Sequence, residues 1–172
     1  MNEMSTTSAD RSPATADLMD VHEAVLDSVD LPIRLYGGRR RFSGSVVTLR
    51  AFEDNSGLKR LVAEPGEGRV IVVDGSGSTR VAMLGDMVAA TAASNGWAGV
   101  VVHGAVRDVD ALAQVDLGIA ALGSNPRRSK KESEGERDVP VAFGGALFTP
   151  GSWVAVDADG IVVSRSGPLA AG

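Results

Sequence analysis

Cysteine is absent from the 172 residues, which excludes a disulfide scaffold, a zinc–thiolate centre and a cysteine nucleophile. Histidine is scarce: only His22 and His103 occur, and two isolated histidines do not make a zinc site. His22 falls on a first helix with no evident partner. His103 closes an apolar strand, where a satisfied core residue is the plainer reading than a base. Positive charge is not in excess either. The formal net charge is −5, so the basic stripe of a generic nucleic-acid binder is not expected, and neither is direct nucleic-acid contact. No apolar run approaches the roughly 20 residues that a membrane-spanning helix needs. The N-terminus lacks the apolar centre of a secretion signal, so a cytoplasmic protein without membrane contact is expected. There is no Gly-Lys-Ser/Thr phosphate loop and no Gly-x-Ser-x-Gly elbow. Gly75-Ser76-Gly77-Ser78-Thr79-Arg80 follows a strand, but Arg80 stands where a dinucleotide fingerprint needs its third glycine. A methyltransferase reading therefore finds no support.

What is present is a core of small aliphatics. Hydrophobic residues make up 44% of the chain and aromatics 4%, with 21 glycines. Residues 1–16, rich in Ser, Thr and Ala, read as a disordered tail, residues 17–165 as a single domain and residues 166–172 as a second tail. Asp17 is placed to cap a helix reaching about Ser28. Gly37-Gly38-Arg39-Arg40-Arg41 is a turn with three positive charges, either solvated or an anion or subunit contact. Residues 42–49 alternate in part and read as a strand, 58–62 as part of a short helix, and 69–73 as a buried strand. Residues 109–114 suggest a short helix with Asp108 at its N-cap, and 117–122 a buried strand. The polar run 124–138 reads as a solvated loop or as a functional one. A strand at 139–143 ends at Gly144-Gly145. Residues 153–156 and 161–163 flank Asp157-Ala158-Asp159-Gly160, a hairpin signal. Helix-linked and hairpin-linked strands together predict mixed sheets with helices in an α/β fold.

The organising stretch is residues 85–108. A helix opens at Asp86 and is followed by Gly96. A strand over residues 98–103 then exits at Gly104 into Arg107-Asp108. Polar groups thus stand at the ends of regular elements, where a fold can hold them rigidly. Asp86 is either a cap for its own helix or part of an anion site at that helix's N-terminus. Arg107-Asp108 is either an ion pair or cap, or an oxyanion-gripping guanidinium beside a hard oxygen ligand for Mg²⁺.

Five segments together carry a family resemblance: Phe52-Glu53-Asp54-Asn55, Arg69-Val70-Ile71-Val72-Val73-Asp74-Gly75-Ser76-Gly77, Ser94-Asn95-Gly96-Trp97-Ala98-Gly99, Gly104-Ala105-Val106-Arg107-Asp108 and Phe143-Gly144-Gly145. Over residues 17–164 the chain resembles the RraA-like proteins. These include regulators of ribonuclease activity and class II 4-hydroxy-4-methyl-2-oxoglutarate aldolases. The family's aldolases carry an Asp, twenty intervening residues, then Arg-Asp; Asp86, Arg107 and Asp108 fit that pattern. The resemblance implies a three-layer β/β/α sandwich of the swivelling-domain type, assembled as a homotrimer with sites at subunit interfaces.

By the same resemblance, Asp108 would bind a divalent cation, Mg²⁺ or Mn²⁺. Arg107 would contact the carboxylate and enolate oxygen of a small 2-keto acid, Gly85, Asp86, Met87 and Val88 would hold the substrate through backbone N–H groups, and Asp86 would act through a water. Cleavage of 4-hydroxy-4-methyl-2-oxoglutarate to two pyruvates is the implied reaction, and oxaloacetate decarboxylation shares its enolate. No Schiff-base lysine is needed; Lys59, Lys130 and Lys131 all sit in polar contexts. Larger family aldolases add a C-terminal segment that brings an acidic residue to a neighbour's site. The sequence ends at Gly172 without one, and Glu134 or Glu136 is a candidate substitute. The alternative is a non-catalytic inhibitor of an RNase E-type endoribonuclease.

Overall fold

The computed structural model describes residues 12–172, so most of the expected N-terminal tail lies outside the described residues. The first helix, α1, is Thr15–His22, and it starts three residues earlier than an Asp17 cap would give. Its N-terminus is capped from across the fold: the Thr15 N–H and hydroxyl donate to the Asp157 carboxylate at 2.8 and 2.6 Å. It is also shorter than expected. After a single 3₁₀ turn, Leu26–Ser28 forms β1, because pairing with the last strand of the chain satisfies this backbone and buries Leu26.

The chain continues through β2 (Arg34–Leu35), β3 (Phe42–Arg50), α2 (Ser56–Val62), β4 (Val70–Asp74), β5 (Ala82–Leu84) and α3 (Asp86–Ser94). Then follow β6 (Gly99–Val106), α4 (Val109–Leu112), β7 (Gly118–Ser124), β8 (Glu136–Arg137), β9 (Val141–Phe143), β10 (Ala146–Phe148), β11 (Trp153–Asp157) and β12 (Gly160–Ser164). The hairpin predicted at 157–160 joins β11 to β12 with Asp157 opposite Gly160. Gly144-Gly145 proves to be a second hairpin turn, between β9 and β10, with Phe143 opposite Ala146.

Strand order is β1-β12-β11-β3-β4-β6-β7-β2. The long β3 belongs to two sheets. Its first half pairs antiparallel with β11, and its second half runs parallel to β4. The parallel strands are near-continuous apolar runs because both faces are covered. Alternate side chains divide between two cores. Val47, Leu49, Ile71, Val73, Val100 and Val102 pack under α2, α3 and α4 with Leu58, Leu61, Ala89 and Leu112. Val46, Val70, Val72 and Val101 face the second sheet, against Phe143, Phe148, Val154, Val156 and Val163. This is the expected mixed-sheet β/β/α sandwich. Helix α1 adds a partial outer cover, with Leu18 against Trp153, Ala155 and Val162. Residues 166–172 hold no regular element, but Leu169 and Ala171 pack on that outer cluster. His22 finds a partner there, as its Nε2 lies 2.7 Å from the Ala170 carbonyl.

The three-arginine turn is tied inward in part: Arg39 meets Asp116 at 2.7 Å. At the far end of the sheet, β6 changes neighbours. It pairs with β4 as far as His103, then with β5 at Ala105 and Val106. Strand ends that part company in this way open a crevice at their C-terminal side. No helix among the described residues is long and apolar enough to cross a membrane.

Candidate active site

β6 runs past Gly104 to Val106, and the Arg107 N–H then bonds to the Leu84 carbonyl at 2.9 Å. That bond fixes the strand exit against β5. Asp108 stands at the N-cap position of α4 in the left-handed region, φ 58°, and its side chain does not cap that helix. It turns instead to α3: Oδ2 accepts the Asp86 N–H at 3.1 Å. The sequence alternative that Asp86 caps its own helix is therefore not what is found. Gly85 holds the N-cap position, Asp86 Oδ1 accepts the neighbouring Met87 N–H at 2.8 Å, and the carboxylate that caps α3 from 22 residues away is Asp108. Gly85 lets the Asp108 carboxylate come close, since a Cβ there would sit 2.7 Å from Asp108 Oδ2 and push that side chain aside. Arg107 Nε lies 3.8 Å from the same oxygen.

These groups open into a cavity of about 390 Å³. All six residues singled out from the sequence line it: Gly85, Asp86, Met87, Val88, Arg107 and Asp108. Two of the expected backbone donors, the N–H groups of Asp86 and Met87, already have carboxylate partners. Met87 projects its side chain into solvent, 80% exposed.

The remaining wall was not foreseen. Lys59 of α2 and Arg128, Ser129 and Lys131 of the 124–138 run complete the cavity, with Asn55 at the base of α2. Their polar sequence contexts gave no sign that Lys59 and Lys131 face a site. The run is no free loop. Ala82 bonds to the Arg127 carbonyl at 2.8 Å, Lys130 to the Glu53 carbonyl at 2.8 Å, and β8 pairs with β3. Asp54, 5% exposed, holds it: its carboxylate accepts the N–H groups of Ser56, Glu132 and Ser133 at 2.9, 2.6 and 2.9 Å. Burial alone would raise the Asp54 pKa, but those backbone donors outweigh it and bring the value down to about 2. Contact with the Lys131 ammonium, then desolvation and the charges of Lys131, Arg128 and Arg107, push the Lys59 pKa down.

Glu134 and Glu136 do not reach the cavity; they pair with Arg60 at 2.7 Å and Arg50 at 3.2 Å. His103 is the satisfied core residue expected, 3.0 Å from Asp74 and stacked on Phe143. The Gly75–Gly77 turn is no phosphate cradle, since its Gly75 and Gly77 N–H groups both bond to the His103 carbonyl at 3.1 Å. Asp108 Oδ1 has no partner among the described residues. No group of three or more His, Cys, Asp or Glu residues able to hold a metal occurs there either. One or two hard carboxylates completed by water suit Mg²⁺ or Mn²⁺, which keep several waters, and do not suit a structural zinc.

A family model described as RraA-like, Aldolase/RraA, matches residues 15–163. The chain belongs to the RraA-like family. Relatives named "Putative 4-hydroxy-4-methyl-2-oxoglutarate aldolase" come from Ectopseudomonas mendocina and Pseudomonas syringae pv. tomato. The first is 51% identical over 87% of this chain and 93% of the relative, the second 49% over 88% and 94%. Among solved structures, the RNA-processing inhibitor RraA from Thermus thermophilis is 43% identical with a TM-score of 0.87, over 91% of this chain and 94% of that one. An S-adenosylmethionine:2-dimethylmenaquinone methyltransferase from Geobacillus kaustophilus HTA426 is 44% identical with a TM-score of 0.88, over 91% and 96%. This RraA-like chain therefore has near relatives bearing three different functional names, and its own site must decide among them.

Proposed function

We propose that this RraA-like chain is a divalent-metal-dependent aldolase that cleaves 4-hydroxy-4-methyl-2-oxoglutarate to two pyruvates and also decarboxylates oxaloacetate. The observation that carries the reading is the convergence of Arg107 and Asp108 on the N-terminus of α3, at 3.8 and 3.1 Å around one carboxylate oxygen, in a cavity rich in cations. The names of the two Pseudomonas-group relatives agree with it.

In the aldol direction of cleavage the C3–C4 bond breaks, the C4 hydroxyl loses its proton, and the bonding pair moves into the C2 carbonyl as a pyruvate enolate. C4 becomes the keto carbon of the second pyruvate, and protonation at C3 gives the first. In oxaloacetate the same bond breaks with loss of CO₂. Arg107 holds the 2-keto acid and neutralises charge on the developing enolate oxygen; such fixed donors are worth about 10²–10³ in rate. Asp86, exposed at the mouth, holds the water that takes the hydroxyl proton. Asp108 would hold the Mg²⁺ or Mn²⁺, which supplies Lewis-acid polarisation of the keto acid. Assembly as a homotrimer with a neighbouring copy over the site belongs to the same reading and would cover Met87, 80% exposed at the cavity mouth.

Methyl transfer fits poorly. S-adenosylmethionine is a sulfonium cation, and Lys59, Arg107, Arg128 and Lys131 would repel it. A second reading, inhibition of an RNA-degrading endonuclease by masking basic segments, is supported by the likeness to the Thermus protein. It is supported too by Asp17, Asp20, Glu23 and Asp30, which are exposed on and just after α1.

The test is pyruvate release from oxaloacetate with Mg²⁺ and with EDTA, after subtraction of the metal's own rate. Release that needs protein and metal, and vanishes in Asp108→Ala while the fold persists, is the expected result. No release above the control overturns the enzymatic reading and leaves the inhibitor.

A further inference from the structure

The site depends on how two strand ends are held relative to each other. Arg107 and Asp108 leave the end of β6, while Gly85 and Asp86 follow β5. Two bonds join them: Arg107 N–H to the Leu84 carbonyl at 2.9 Å and Asp86 N–H to Asp108 Oδ2 at 3.1 Å. β5 is only three residues long, and its register with β6 shifts between Ala82 and Leu84. Few ladder bonds hold so short a strand, so its place is set by what grips it from outside. Those grips converge on one side chain. Asn125, the first residue after β7, gives its backbone N–H to the Val106 carbonyl at 3.0 Å, one residue before Arg107. Its side-chain Nδ2 donates to the Thr79 carbonyl at 3.0 Å, on the segment that enters β5. Its Oδ1 accepts the Arg127 N–H at 2.9 Å, and the Arg127 carbonyl in turn accepts the Ala82 N–H at 2.8 Å. A closed ring of bonds therefore runs from Asn125 to Thr79, along the chain to Ala82, across to Arg127 and back to Asn125. Pro126 has no N–H, so Arg127 supplies the first backbone donor after Asn125. A carboxamide offers donor and acceptor at opposite corners of one short side chain, and here both are used.

We propose that Asn125 is a positioning residue for this reaction: its carboxamide fixes β5 against the exit of β6 and so sets the placement of Arg107 and Asp108 relative to the N-terminus of α3. The proposal rests on the aldolase reading and deepens it. Asn125 stands outside the described residues that line the cavity, so it acts through Leu84, Gly85 and Asp86 and not on substrate. Loss of the Nδ2 bond frees Thr79 and lets β5 slide along β6, and the Leu84 carbonyl and the Asp86 N–H move with it. Asp108 is especially sensitive to such a shift. Its backbone is held in the left-handed region, φ 58°, which persists in a non-glycine residue only when the surrounding structure enforces it. Misplacement of reacting groups by about 1 Å lowers a rate by about 10²-fold, whereas attraction of an anionic substrate into a cation-rich cavity tolerates it. The effect therefore falls on kcat more than on KM.

Two variants and one wild-type measurement, all on the full chain, test this. Asn125→Asp keeps the shape and the acceptor for Arg127 but sets an oxygen against the Thr79 carbonyl; Asn125→Ala removes both side-chain bonds. In each, kcat for oxaloacetate in saturating Mg²⁺ is expected to fall about 10-fold with KM within about 2-fold. Amide hydrogen exchange, followed by NMR without metal or substrate, is expected to quicken at least ~10-fold at Ala82, Asp86 and Arg107 and to stay unchanged at Val101 in the middle of β6. In the wild type, one Asn125 side-chain N–H proton should exchange more slowly than in free asparagine. A merely structural residue would give a different pattern: exchange quickened throughout the sheet, a lowered melting midpoint and kcat unchanged below it. That pattern overturns the proposal, as do a rise in KM alone, failure of both variants to fold, and a wild-type Asn125 amide that exchanges freely. A wild type that forms no pyruvate sinks the aldolase reading and the kcat effect with it, while the exchange arm still decides whether Asn125 holds the two strand ends together.

Discussion

The two walls of the cavity are built in opposite ways. Gly85, Asp86, Arg107 and Asp108 stand at the ends of α3 and β6, whose apolar bodies lie in the core, so their positions follow from regular structure. Asn55, Ser129 and Lys131 stand on irregular chain that is held together by a buried carboxylate and a few backbone bonds. The first wall has Arg107 and Asp108, to which the proposed chemistry is assigned, and is held by strand pairing. The second has the cations and is held by Asp54. The two walls are thus built from parts of the molecule that can be damaged separately.

The sharpest way to break the comparison is at the first wall. Arg107→Ala removes the guanidinium beside Asp108 without disturbing the backbone bond from residue 107 to Leu84. A fall of about 10²–10³ in kcat for oxaloacetate is expected, with the thermal midpoint nearly unchanged because the side chain is partly exposed. Steady-state kinetics beside a thermal melt checks it. A loss confined to KM would mean that Arg107 only binds substrate.

Next in size is the second wall. Asp54 has a folded-state pKa of about 2, below the ordinary 3.8. Its ionised form therefore stabilises the fold fully above pH ~4, and that stabilisation is lost as pH falls through 2. The shift corresponds to about 2 kcal/mol. Urea denaturation from pH 5 down to pH 1.5 should show a component of that size in the wild type that Asp54→Asn lacks. At neutral pH the variant should also lose amide-exchange protection at Glu132 and Ser133, because Asn presents N–H groups where Asp accepted them. If the wild-type and variant pH profiles run parallel, Asp54 does not hold the wall.

The same contrast explains what the sequence could reveal. The parallel strands were legible because Val70-Ile71-Val72-Val73 and Val100-Val101-Val102 are apolar on both faces, and the Asp86…Arg107-Asp108 spacing marked the first wall. The 124–138 run was not legible, since nothing in Arg127 to Lys131 says that Ala82 and Glu53 wait to bond with its backbone. Asp54 belonged to a recognised motif, yet its work is done at a separation of 78 residues. The early end of α1 was misread for a related reason: β12 offered residues 26–28 better pairing than a helix could, and Asp157 set the helix start. Long-range polar contacts leave no periodicity in either partner.

The smallest effect is expected at the surface of that second wall, where Arg60 of α2 meets Glu134 at 2.7 Å with side chains 75% and 58% exposed. A Cβ on Gly57 would come 2.0 Å from the Glu134 carbonyl, so the run already lies against the first turn of α2 through backbone contact. An exposed ion pair contributes about 0–1 kcal/mol and is screened by salt. Arg60→Ala should thus change the unfolding free energy read from urea denaturation by less than about 0.5 kcal/mol and leave 2-oxoglutarate affinity unchanged at low and high salt. A larger, salt-sensitive loss would place the anchor of the second wall in its surface charges and not in the buried Asp54 carboxylate.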